Sequence, residues 1–154
     1  MAPLHEATDT IRPVKIEELG ADGTERAYDA MRQLRPHLTS AGFVRLVNEV
    51  QLPQGYRLVG SWDASTGRVV AAAGFRLQHM LAHGRVLIVD DLSTIPAARG
   101  QGHASRLLAW LEREARFHHC AQLHLDAGTH RYDAHRLYIR HGFAIKSFRL
   151  TRHL

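Results

Sequence analysis

Between residues 41 and 50 the apolar side chains Phe43, Leu46, Val47 and Val50 recur at i, i+3, i+4 and i+7, which places them on one face of a helix. Ala27, Met31 and Leu34 do the same across residues 25–35, and Pro36 separates the two helices. Further on, Ala104, Leu107, Leu108, Leu111 and Ala115 form the apolar stripe of a longer helix over residues 102–119, where Glu112 can pair with Arg116 at i,i+4. Residues 56–62 and 68–78 read as strands joined by the turn Asp63-Ala64-Ser65-Thr66-Gly67, a hairpin. Residues 86–94 open with four consecutive apolar positions, the pattern of a strand covered on both faces. Shorter strands are expected at 11–16, 122–126 and 143–150, and a helix at 131–140. In the last strand the apolar phase slips from Phe143 and Ile145 to Phe148 and Leu150, which a bulge near Lys146-Ser147 or burial on both faces would accommodate. The order β-α-α-β-β-β-α-β-α-β predicts a mixed sheet with helices on its faces, in one α/β or α+β domain over residues 1–154.

At 154 residues and 45% hydrophobic content the chain can bury one core and has no room for a second domain. The net charge of +5 is unevenly placed: residues 1–80 carry 9 basic and 9 acidic groups, residues 81–154 carry 11 and 6. A basic half leaves three kinds of partner open, namely nucleic acid, an anionic surface or a small polyanion. Cys120 is the only cysteine, which excludes a disulfide framework and a Cys-based zinc site. The first residues lack a basic segment followed by an apolar one, so no signal peptide is expected. The longest apolar run, residues 69–75, is far below the ~18 residues of a membrane span. A cytoplasmic protein is the expectation, with no membrane partner. Nine of the 12 histidines follow residue 81. His118, His119 and Cys120 are adjacent at a helix end and do not face one site, so no metal is expected; His124, His130 and His141 are spread over strand, loop and helix end.

The segment Leu92-Ser93-Thr94-Ile95-Pro96-Ala97-Ala98-Arg99-Gly100-Gln101-Gly102-His103-Ala104-Ser105 carries the most information. A strand ends, a short loop turns, and two glycines lead into an amphipathic helix. The first N–H groups of that helix lack intrahelical partners and sit at the positive end of its dipole. Gly100, Gly102 and the small Ala104 allow close backbone approach, and Arg99 adds a full charge. This is a phosphate cradle suited to a diphosphate. A P-loop would need Gly-Lys-Ser/Thr, and Gly102-His103-Ala104 supplies no lysine. A dinucleotide fingerprint wants a tight turn, whereas five residues separate the strand from Gly100, and its third small position is Ser105. For the glycines alone, a turn that merely starts a helix remains the simplest account.

The pattern Arg99-x-x-Gly102-x-Ala104 after a strand resembles the acetyl-CoA-binding motif Gln/Arg-x-x-Gly-x-Gly/Ala of the GNAT superfamily of N-acetyltransferases. The segment Ala134-His135-Arg136-Leu137-Tyr138-Ile139-Arg140-His141-Gly142-Phe143 is similar to that family's second signature, a helix bearing a Tyr followed by Gly-Phe. Together the motifs cover roughly residues 86–150, and the element order of residues 11–80 also fits. Within the family, Thr129-His130-Arg131-Tyr132-Asp133-Ala134-His135-Arg136 and Leu34-Arg35-Pro36-x-Leu38 resemble small-amine acetyltransferases, including aminoalkylphosphonate N-acetyltransferases. One departure is Arg131, where family members often have Asn.

The resemblance implies a GNAT-like fold with a mostly antiparallel twisted sheet, and acetyl-CoA as co-substrate. It places the pantetheine arm along Leu92, Ser93 and Thr94. The diphosphate would lie on Arg99, Gly100, Gln101, Gly102, His103, Ala104 and Ser105, with Arg131 as a further cofactor contact. A backbone N–H near Leu92 would polarise the thioester carbonyl. The acceptor amine would attack directly, leaving two proton transfers. Tyr138 matches the family's Tyr and is the expected acid. Arg131, His135 and Tyr138 also stand at i, i+4, i+7, and a cation beside a phenol is expected to lower its pKa. Asp91, preceding Leu92, is the preferred base over Asp90; strand alternation predicts that the two carboxylates point to opposite faces. His135 is a candidate contact to the acceptor.

The implied reaction is acetyl transfer from acetyl-CoA to a primary amine of a small molecule. A catalytically silent acyl-CoA-binding or regulatory module of the same fold, or an acetyltransferase of a protein amine, are the alternatives; a homodimer stays open. Few aromatics interleave with the arginines of the basic half and no base-reading motif occurs, so a nucleic-acid partner is not expected. Residues 25–55, the implied acceptor wall, hold only Glu25, Asp29 and Glu49 as acids, which disfavours a polycationic acceptor.

Overall fold

The computed structural model describes residues 14–154. Strand β1 (Ile16–Leu19) opens the described chain, so most of the strand expected at 11–16 lies outside the described residues and the observed strand runs later. A 3₁₀ turn (Ala21–Ala27) then feeds helix α1 (Tyr28–Leu34). Helix α2 (Ser40–Arg45) begins at Thr39, whose hydroxyl accepts the Gly42 N–H at 3.1 Å and satisfies one of the free donors of the first turn. It continues through a wider turn (Leu46–Gln51), which keeps Phe43 and Val47 buried while Leu46 and Val50 are exposed.

Strands β2 (Tyr56–Asp63), β3 (Arg68–Met80) and β4 (Gly84–Thr94) form an antiparallel meander. The β2–β3 turn is the expected one: the Asp63 carboxylate accepts the Ser65 N–H at 2.9 Å, and Gly67 takes the positive φ that closes it. Helix α3 (His103–Phe117) crosses back to β5 (Gln122–Leu125), which pairs parallel with β4, and α4 (Tyr132–Arg140) follows. The five strands lie in the order β1-β2-β3-β4-β5, antiparallel except for the last pair.

Each face of the sheet carries a helix layer. On one, Val59, Ala71, Ala73, Phe75, Leu87, Val89 and Leu92 pack against Leu107, Leu108 and Leu111 of α3 and Tyr138 of α4. On the other, Tyr56, Leu58, Val69 and Ala72 meet Ala27, Ala30, Met31, Phe43 and Val47. No helix among the described residues is long and apolar enough to cross a membrane.

The strand expected at 143–150 does not form. Only Phe143 packs against the core, while Ile145, Phe148 and Leu150 are exposed and, among the described residues, the segment pairs with no strand. The slipped apolar phase offers no single face to bury, and alternation is what gives a strand its side. An ion pair from Arg149 to Asp126 holds the segment beside the end of β5.

Candidate active site

The site is built where β4 and β5 part. Their ladder runs only from Val86 to Val89 against Gln122 to Leu125, so among the described residues β4 has no strand on that side from Asp90 onward. The Ile95 N–H donates to the Val70 carbonyl at 2.9 Å, toward β3. Alternation along a strand then turns the Ser93 N–H toward β3 and the Leu92 and Thr94 N–H groups outward, to the open edge. An extended ligand has two donors to meet there.

The edge leads directly to the glycine loop. Gly100 and Gly102 have φ of 76° and 84°, a region that other residues rarely adopt. The helical bonds of α3 start with the Arg106 N–H on the Gly102 carbonyl at 3.1 Å, leaving the N–H groups of His103, Ala104 and Ser105 without intrahelical partners. Arg99 Nε lies 3.3 Å from the Thr94 carbonyl. Arg106 also belongs here and was not anticipated: its guanidinium donates to the Gln101 carbonyl at 2.8 Å and lies against Gly102. Its place one helical turn beyond Gly102 was the available signal. The Gln101 amide bonds the Ala97 carbonyl at 3.1 Å and closes the loop on itself.

Two side chains of the first turn of α3 have partners elsewhere in the fold. The buried His103 ring lies 2.9 Å from the Ser61 hydroxyl on β2, so only its backbone faces the cradle. Burial, followed by the Arg106 charge, holds the His103 pKa below its ordinary value. The Ser105 hydroxyl is engaged by His141 at 3.0 Å, which joins the end of α4 to the first turn of α3.

Asp90 and Asp91 correct the expectation of opposite faces. Gly74 is opposite Asp91 and Phe75 opposite Val89, so Asp90 is the extra residue of a β-bulge. The bulge turns both carboxylates to the α1 side of the sheet. Asp91 accepts from Arg35 Nε at 3.0 Å and from the Tyr56 hydroxyl at 2.9 Å. Asp90 accepts from Arg76 Nε at 2.6 Å, and Arg76 also reaches Gln51 Oε1 at 2.7 Å. Tyr56 is buried, and its pKa is raised well above the usual phenol value, first by burial and then by the Asp91 charge. Tyr56, Arg76 and Gln51 carried no local sequence signal, since their partners lie 35, 14 and 25 residues away.

Tyr138 lies across the sheet in the core cluster that contains Leu92 and Val89, its ring edge-on to Phe143 with centroids 5.8 Å apart. Helix α4 ends at Gly142 (φ 81°), where the Phe143 N–H bonds the Tyr138 carbonyl at 3.0 Å. The expected fall in the Tyr138 pKa is overturned. Burial raises it, and the opposing effect of Arg131 is the smaller. The His135 ring bonds the Gly128 carbonyl through Nε2 at 2.9 Å.

Of the remaining histidines, His83 and His124 meet edge-on with ring centroids 5.3 Å apart. His118 pairs with Glu114 at 3.0 Å, and His124 with Gln122 at 2.7 Å. Among the described residues no group of three His, Cys, Asp or Glu side chains is arranged to hold a metal ion. Burial pushes the Cys120 thiol up, away from thiolate reactivity.

An open strand edge, a glycine cradle at a helix start and a core Tyr are the geometry in question, and the sequence matches the acetyltransferase (GNAT) family over residues 24–143. The chain belongs to the GNAT acetyltransferase family. An aminoalkylphosphonate N-acetyltransferase of Salmonella typhimurium is 37% identical over 89 residues, covering 57% of this chain and 58% of that protein. The chain thus matches little more than half the length of that curated relative. A transcriptional regulator from Bacillus halodurans shares the fold, with 23% identity, a TM-score of 0.77, and coverage of 92% of this chain and 100% of the other. So does the aminoglycoside N-acetyltransferase AAC(6')-Iy in complex with CoA, at 14% identity and a TM-score of 0.77, over 94% of this chain and 97% of the other.

Proposed function

We propose that this chain is an N-acetyltransferase that moves the acetyl group of acetyl-CoA to a primary amine of a small acceptor. The observation that carries it is the open edge of β4, whose Leu92 and Thr94 N–H groups lead into the cradle at the start of α3. Family membership and the relative that acts on an amine support the same reading. The residues fit the group: the edge supplies donors to an extended arm, and Gly100 and Gly102 let a diphosphate approach the free N–H groups of His103, Ala104 and Ser105. Arg99 and Arg106 add charge at the mouth, and Arg131 lies near Tyr138. Acetyl-CoA supplies an acetyl thioester with a thiol leaving group.

The chain's own residues then manage the protons. The Leu92 N–H polarises the thioester carbonyl. Asp91 Oδ2 takes the ammonium proton, directly or through a water, so that the amine lone pair forms the C–N bond as the C–S bond breaks. Tyr138 returns a proton to the departing sulfur. A raised phenol pKa suits this role, because the group is fully protonated at neutral pH.

Arg35 and Arg76 flank the two carboxylates. An acceptor bearing both an ammonium and an anionic group meets complementary charge here, which favours an aminoalkylphosphonate-like amine over a polycation. The test is release of CoA thiol from acetyl-CoA across a panel of amines. Aminoalkyl phosphonates and phosphates should turn over faster than polyamines of similar length. Equal or reversed rates would remove the anionic acceptor, and absence of amine-dependent thiol release would remove the enzyme.

A further inference from the structure

Tyr56 begins β2, opposite Arg76 on β3, yet its hydroxyl reaches Asp91 on β4, two strands away. The ring can cross because the intervening position is Gly74, which is opposite Asp91. A Cβ built on Gly74 would stand 1.6 Å from Tyr56 Oη and 2.0 Å from Cζ, so any side chain there would evict the ring. From the other side the Arg76 guanidinium lies 5.5 Å from the ring centroid, itself fixed by Asp90 and Gln51. The phenol is therefore held between a glycine floor, a guanidinium and the Asp91 carboxylate.

The pattern of bonds on Asp91 shows what that arrangement does. Arg35 donates from Nε to Oδ1 at 3.0 Å and brings Nη2 to 2.8 Å of the same oxygen, so its charge is seated on Oδ1. The Tyr56 hydroxyl takes one lone pair of Oδ2 at 2.9 Å and leaves the other free. With the Tyr56 pKa raised by burial, the hydroxyl remains a donor through the neutral range.

We propose that Tyr56 is a positioning residue for acetyl transfer: laid across Gly74, its hydroxyl fixes the Asp91 carboxylate so that the free lone pair of Oδ2 faces the acceptor. The proposal rests on Asp91 being the base. Tyr56 itself exchanges no proton with the substrate.

The experiment compares Tyr56→Phe, Asp91→Asn and the double variant in steady-state turnover, together with the thermal shift caused by CoA. Y56F keeps the ring and loses the bond. It should lower kcat about tenfold to a hundredfold, the scale of a hydrogen bond to a charged group, with the KM for acetyl-CoA and the CoA shift unchanged. Asp91→Asn should lower kcat further, and adding Y56F to it should cost no more, because the two act as one unit. Gly74→Ala keeps the phenol but pushes it off Asp91; it should reproduce the selective kcat loss, and it carries the test should Y56F not fold. Unchanged kcat in Y56F, or multiplicative losses in the double variant, overturns the role of Tyr56 while leaving Asp91 in place. Unchanged kcat in Asp91→Asn overturns the base assignment, and the role of Tyr56 with it.

Discussion

The His103 ring and the Ser61 hydroxyl meet at 2.9 Å in the buried space between β2 and the first turn of α3. The glycine loop before α3, the proposed phosphate cradle, is thereby anchored on the sheet by a titratable group. The His103 pKa is held below the ordinary histidine value of 6.5. Between that value and the lower folded one, the unfolded chain binds a proton that the folded chain does not, so stability falls as pH drops through this window. We expect Tm to decrease on going from pH 7 to pH 5 more steeply in the wild type than in His103→Asn, measured by thermal unfolding. Parallel slopes would show that His103 does not contribute to the acid sensitivity.

Tyr138 is buried in the layer that also holds Leu92, and its phenol is protonated at neutral pH. Tyr138→Phe should lower kcat about a hundredfold, the scale of a lost general acid, and leave the KM for acetyl-CoA near its original value. In the wild type the alkaline limb of kcat should lie above pH 10, since burial raises the phenol above its ordinary value of 10.0. Arg131→Ala removes the opposing charge and should move that limb higher still. The pH–rate profiles of both proteins check this.

Arg99 and Arg106 stand at the mouth of the cradle, and neither approaches the carboxylates. Arg106→Ala should weaken CoA binding about tenfold or more, as expected for a charge-assisted bond to phosphate, with the same trend for Arg99→Ala. Calorimetric titration with pantetheine, which lacks the diphosphate, should show no difference between these variants and the wild type. A loss that is equal for both ligands would place the arginines elsewhere.

Where the signal is local, the chain is legible without coordinates. The Asp63 to Gly67 turn follows from an Asp that accepts a nearby N–H and a Gly that takes positive φ, and α3 from the stripe of Leu107, Leu108 and Leu111. The cradle is readable for the same reason, because glycines, helix start and Arg99 are contiguous. What escapes is long-range. Arg35 and Asp91 are 56 residues apart, and nothing near either indicates the other. The bulge at Asp90 is a property of the pairing of β3 with β4, so simple alternation assigned the carboxylates to opposite faces. Residues 143–150 have the composition of a strand without a consistent apolar side. The direction of the Tyr138 pKa is set by burial, a tertiary quantity that outweighs the Arg131 charge.

Acetyl transfer itself is tested most directly by incubating the protein with acetyl-labelled acetyl-CoA and an aminoalkyl phosphonate, and measuring labelled amine and free CoA thiol in the same samples. The account predicts equimolar acetylated amine and thiol, both abolished by omitting the amine and strongly reduced in Tyr138→Phe. Binding of CoA with no labelled amine formed from any primary amine in the panel would contradict it.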